Sequence, residues 1–131
     1  METKQVIVMR KDLNMRKGKM VAQGSNAIMA LILDDLDIKQ AIRKDDCDPI
    51  SASDAIAHWL NNSFTKVCVS VNSEEELLTI YKKSKDAGIP CSLIKDAGRT
   101  EFGGVPTYTC VGIGPAEIEN IDKITGHLPL L

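Results

Sequence analysis

The chain reads as an α/β fold, a sheet covered by helices on both faces. Three observations lead there. Strand-like apolar runs and helical periodicities follow one another in the order β-α-α-β-α-β-β-α. The first run, Gln5-Val-Ile-Val-Met-Arg10, is apolar without alternation, as in a central strand buried on both faces. And Ser73-Glu-Glu-Glu76 is a capping box, which marks the start of a helix directly after a strand.

Taken in order, Gln5–Arg10 is the first strand and Lys11 to Gly18 a polar loop. From about Lys19, apolar residues recur at Met20/Val21, Ala27/Ile28 and Leu31/Ile32, a helical spacing that leaves Lys19, Gln23 and Asn26 on one polar face. Asp34 to Pro49 is charged and reads as a loop or short irregular helix. Ser51 or Ser53 caps a second helix, with Ala55/Ile56 and Trp59/Leu60 inward and Asn61-Asn62-Ser63 at its end. Lys66–Val71 is the second strand. The helix after the capping box turns Leu77, Leu78 and Tyr81 inward and closes at Gly88. Pro90 precedes the third strand, Cys91–Lys95, and Tyr108–Ile113 is the fourth. Gly114-Pro115 is expected to open the last helix, with Ile118, Ile121 and Ile124 as its inner stripe. Helical crossovers predict strands one to three parallel, and the lack of one before strand four predicts that it is antiparallel.

The 131 residues suit a single domain, 1–131, with 44% hydrophobic and 26% charged residues. No apolar run reaches the roughly 18 residues a membrane span needs, so no membrane partner is expected. Met1-Glu2-Thr3-Lys4 leads straight into a strand, so no signal peptide is expected. Cys47, Cys68, Cys91 and Cys110 show no metal or redox spacing, which suits a reducing cytoplasm, and His58 and His127 stand apart, so no metal site is expected. The net charge of −2 argues against general nucleic-acid binding, and no DNA partner is expected. The charge is unevenly placed, however. Residues 1–20 carry Lys4, Arg10, Lys11, Arg16, Lys17 and Lys19 against Glu2 and Asp12, and a basic end of this kind can be a phosphate footprint.

The candidate chemistry lies in two loops. Asp96-Ala97-Gly98-Arg99-Thr100 ends the third strand and sets a carboxylate, a guanidinium and a hydroxyl together, where open α/β sheets hold ligands. Lys17-Gly18-Lys19 lies at a helix N-terminus, whose unbonded N–H groups and positive dipole end suit a phosphate or a developing oxyanion. In a mainly parallel sheet both project from one edge. The plainer alternatives are a Lys19–Asp96 ion pair and a turn closed by Thr100.

Gly18-Lys19-Met20-Val21-Ala22-Gln23 with Ser25, then Asp96-Ala97-Gly98-Arg99-Thr100, then Gly112-Ile113-Gly114-Pro115 resemble the signature blocks of type-II peptidyl-tRNA hydrolases. The resemblance spans nearly the whole chain, including Trp59 and the Leu128-Pro129-Leu130-Leu131 tail. It implies a three-layer α/β/α sandwich over a mixed four-stranded sheet, a homodimer, and no cofactor. It also implies cleavage of the ester between a peptide and the 3′ ribose of tRNA, with peptidyl-tRNA as the partner. The family's catalytic Lys, Asp and Thr fall on Lys19, Asp96 and Thr100, and its helix Gln on Gln23. The chemistry agrees: Asp96, directly or through Thr100, can take a proton from water, Lys19 can stabilise the oxyanion, and Gln23 can orient a carbonyl or the water. Arg16, Lys17 and Arg99 suit phosphates, and Ser25 and Asn26 are candidates for substrate contact. Asn26, Glu101 and the loop Phe102-Gly-Gly-Val-Pro106 depart from the family pattern. Asn26 stands where His is common, and Glu101 where Gln is common; the added carboxylate is expected to raise the pKa of Asp96 or repel RNA. These departures keep open a slow or inactive homologue that binds tRNA or protein, and a deacylase on a different ester.

Overall fold

A computed structural model describes residues 1–35 and 54–131 of the chain. Its described elements are β1 (Thr3–Arg10), α1 (Lys17–Asp35), α2 (Asp54–Asn61), β2 (Lys66–Val71), α3 (Glu74–Asp86), β3 (Cys91–Asp96), β4 (Thr107–Glu117) and α4 (Ile118–Thr125). The strand order is β2-β1-β4-β3; β1 pairs parallel with β2, and β4 pairs antiparallel with both β1 and β3. Strands one to three therefore run the same way and β4 runs against them, as the crossovers predict. Only β1 and β2 pair with each other, because β4 lies between β1 and β3.

Alternation along the strands divides the interior between two faces. Val6, Val8, Val69, Val71, Val111 and Ile113 pack with Leu77 and Ile80 of α3 and with Ile121 and Ile124 of α4. On the opposite face Met9 and Cys110 pack with Met15 and with Ala27 of α1. Thr3, on the same face of β1 as Met9, meets His58 of α2 at 3.0 Å, which sets α2 on the α1 side. Ser92 Oγ donates to the Ala27 carbonyl at 2.8 Å and ties α1 to β3. No described helix is long and apolar enough to cross a membrane.

Several local expectations change. The helix expected from Lys19 begins at Lys17, since Met20 N–H already bonds the Arg16 carbonyl at 3.0 Å. On α2, Ile56 and Trp59 are buried but Leu60 is exposed. The Ser51 and Ser53 caps and most of Asp34–Pro49 lie outside the described residues. On α3 the buried positions are Leu77, Ile80 and Ser84, with Leu78 and Tyr81 half-buried, so the inner stripe is rotated by a residue. The capping box forms in its first half, Ser73 Oγ accepting from Glu76 N–H at 3.0 Å, while Glu76 Oε2 reaches one residue beyond the cap and accepts from Asn72 N–H at 3.0 Å. Gly88 closes α3 at φ +71°, as expected. The last helix does not open at Gly114-Pro115. Lys4 and Thr3 pair with Ala116 and Glu117 and hold the chain in β4, so α4 starts at Ile118. Gly114 is needed there, because at φ +90° a Cβ would come within 2.7 Å of the Lys4 carbonyl oxygen.

Candidate active site

Three elements meet where β1 and β3 end: the first turns of α1, the last residue of β3, and the loop 97–106 that returns to β4. Lys19 and Gln23, one turn apart on α1, reach Asp96 together. Lys19 Nζ donates to Asp96 Oδ1 at 2.9 Å and to Thr100 Oγ1 at 3.0 Å. Gln23 Nε2 donates to the same Oδ1 at 3.3 Å, and Gly98 N–H donates to Oδ2 at 2.8 Å. The Phe102 ring lies 5.8 Å from Lys19 Nζ and closes one side.

The loop keeps this geometry through Gly98. At φ +80° its Cα approaches the returning chain so closely that a Cβ would stand 2.2 Å from the Val105 carbonyl oxygen. Gly104 N–H bonds the Gly98 carbonyl and Val105 N–H that of Phe102, at 2.8 and 3.0 Å. Thr100 is thereby held over Lys19.

Lys19 and Asp96 keep only 15% and 14% of their side chains exposed. The Lys19 hydrogen bond, the Gly98 N–H and Gln23 hold the Asp96 carboxyl below the usual carboxylate value, outweighing the partial burial that pushes it up. The expectation that Glu101 raises the pKa of Asp96 is therefore overturned. The Glu101 carboxylate is turned to Arg16, with Arg16 Nε donating to Oε1 at 2.9 Å, and Lys19 dominates the charge seen by Asp96.

The polar α1 face expected from Lys19, Gln23 and Asn26 is divided: Gln23 is buried and Asn26 exposed. Gln23 Oε1 accepts from Thr109 Oγ1 at 2.5 Å, so both ends of its amide are committed within the protein. Thr109 is a site residue that sequence reasoning missed. On β4 it looks like any β-branched strand residue, and only the placement of β4 beside α1 reveals its role. Ser25 Oγ donates back to the Val21 carbonyl at 2.8 Å and does not join the cluster. Lys17 and Arg99 are exposed, and among the described residues neither has an ion-pair partner. The structure thus brings Lys19, Gln23, Asp96 and Thr100 into one bonded group, ties Arg16 to the same loop, and leaves Lys17, Ser25, Asn26 and Arg99 outside that group.

The family model described as peptidyl-tRNA hydrolase PTH2 matches residues 3–131. A peptidyl-tRNA hydrolase of Methanocaldococcus jannaschii is 49% identical over 128 residues, 98% of this chain and 99% of the relative. Those of Sulfurisphaera tokodaii and Methanothermobacter thermautotrophicus are 41% and 44% identical, covering 100% and 98% of this chain and 100% and 99% of their own lengths. With a family match over nearly its full length and relatives that align end to end, this chain belongs to the peptidyl-tRNA hydrolase PTH2 family.

Proposed function

We propose that the protein hydrolyses the ester joining a peptide's C-terminal carbonyl to the 3′ ribose of tRNA, and so recycles the tRNA. The observation that carries this reading is the Lys19 ammonium bonded to Asp96 and Thr100 at once, in a chain whose relatives are named peptidyl-tRNA hydrolases. An ammonium has three donors. Two are engaged, and the third serves the oxyanion that forms when the ester carbonyl is attacked. Water is the nucleophile. Its oxygen bonds the carbonyl carbon while one proton passes to Asp96, directly or through Thr100. The tetrahedral intermediate then collapses, the carbon–oxygen bond to the ribose breaks, and the leaving 3′ oxygen takes the proton from Asp96. A carboxylate with a lowered pKa is a weak base at rest. The oxyanion forming on the third donor of Lys19 shares the positive charge that acidifies Asp96, so the basicity of Asp96 rises as the proton must move. Gln23, held by Thr109, positions the carboxylate.

Lys17, at the start of α1, and Arg99, in the loop after β3, take phosphates of the tRNA, and Ser25 and Asn26, further along α1, are further substrate contacts. The protein works in the cytoplasm as a homodimer of single-domain subunits. Support for the dimer comes from an apolar groove of about 690 Å³ on the flank of α1, where Val21, Met29 and Leu131 are exposed.

The test is turnover of purified N-acetyl-aminoacyl-tRNA. Asp96→Asn and Lys19→Ala are each expected to cut it by about 100-fold or more. The double variant should lose less than the product of the two, since both groups act on one transition state. Asp96→Asn should bind tRNA as well as the native protein or slightly better. Full turnover by Asp96→Asn would refute the mechanism.

A further inference from the structure

Arg16 and Glu101 form the one ion pair at the rim of the site, among the described residues, that leaves out Asp96. Its two ends differ in surroundings. The Arg16 side chain is 82% exposed, whereas that of Glu101 is only 15% exposed, in the loop between Thr100 and Phe102. Arg16 directly precedes α1, which carries Lys19, and Glu101 follows Thr100, so the pair stands beside the reacting groups.

We propose that Glu101 is a built-in phosphate surrogate: it holds the charge of Arg16 and withholds it from tRNA, so that Arg16 adds little to substrate affinity until Glu101 is neutralised. The inference rests on the peptidyl-tRNA reading above and refines it. A guanidinium already compensated by a carboxylate 2.9 Å away attracts a phosphate weakly, and little counterion is released when the phosphate arrives. Exchanging Glu101 for a phosphate would strand a mostly buried carboxylate without its counter-charge, and such a group is costly to leave unpaired. Lys17 and Arg99 carry no such internal partner among the described residues. The electrostatic attraction for RNA therefore falls on them, and the cation next to the loop of Thr100 is reserved for holding that loop.

The test is binding of deacylated tRNA to the full chain across a salt series, for the native protein, Arg16→Ala, Glu101→Gln and the double variant. Gln keeps an oxygen that can accept from Arg16, so the loop keeps its anchor while the charge is removed. Glu101→Gln should tighten binding several-fold and steepen the plot of log affinity against log salt by about 0.7–0.9, the increment for one phosphate contact. Arg16→Ala should abolish that increase in the Glu101→Gln background and cost far less affinity with Glu101 present. An unchanged slope in Glu101→Gln would overturn the proposal, as would an equal cost of Arg16→Ala in both backgrounds. A native protein that binds tRNA without hydrolysing the acylated form would refute the hydrolase reading and leave these slopes to judge Glu101. A native protein that does not bind tRNA would overturn both.

Discussion

Asp96 concentrates the chemistry of the site in two oxygen atoms. Oδ1 takes both side-chain donors, from Lys19 and Gln23, and Oδ2 takes the Gly98 N–H. Three donors on one carboxylate favour its charged form, with Lys19 the largest cause. The consequence for pH follows from the sign. The folded pKa lies below the unfolded one, so the stabilisation from this group is fully present above the unfolded value. It is lost only as the pH falls through the folded value. Between about pH 5 and 8 the charge of Asp96 is constant, and turnover should show no inflection from this group there. A pH–rate profile with an acid limb near neutrality that disappears in Asp96→Asn would contradict that assignment. Cys110, beside Gln23, is pushed up to about 12 by burial and stays a neutral thiol over the same range, so it adds no titration of its own.

At the level of elements, the loop 97–106 decides whether α1 and β3 make a site or only an ion pair. Gly98→Ala combines a left-handed backbone with a clash against Val105 backbone, whereas Gly103, at φ +58°, has open space around it. Gly98→Ala should therefore displace Thr100 and lower turnover by about 100-fold, with a stability loss of about 1–3 kcal/mol. Gly103→Ala should cost about 1–2 kcal/mol for the backbone alone and keep most of its turnover. Urea melts alongside turnover separate the two, and equal turnover in both variants would show that the loop does not position Thr100. Much of this arrangement was legible in the chain. Lys19 and Gln23 are one helical turn apart, Asp96 ends a strand, and the crossovers put both at one edge. Three things were not. The insertion of β4 between β1 and β3 depends on pairing partners, which alternation within a strand does not specify. The run of β4 through Gly114-Pro115 depends on Thr3 and Lys4, far away in sequence. Thr109 depends on both.

Across the whole molecule, α1 separates two unlike surfaces. One flank holds Lys19 and Gln23 against β3 and β4; the other lines the apolar groove with Met20, Val21, Ile28 and Met29. Val21 is 70% exposed and Met29 59%, and contiguous apolar exposure of this kind marks an interaction surface. If a second subunit covers it, Val21→Asp should shift the protein from dimer to monomer in light scattering after gel filtration. A native protein that is monomeric at the same concentration would exclude the homodimer. The central position of β4 has a further consequence, for the order of synthesis. The strand that joins β1 to β3, and that carries Thr109 to Gln23, comes after the other three described strands in chain order. While this chain is being made it is itself a peptidyl-tRNA, with β1 and β2 able to pair but no strand yet between β1 and β3. Its own site is completed only after Thr107–Glu117 has been added and has left the ribosome. The contact of Thr109 with Gln23, and the sheet that carries Asp96 beside α1, thus form only once all four strands are present.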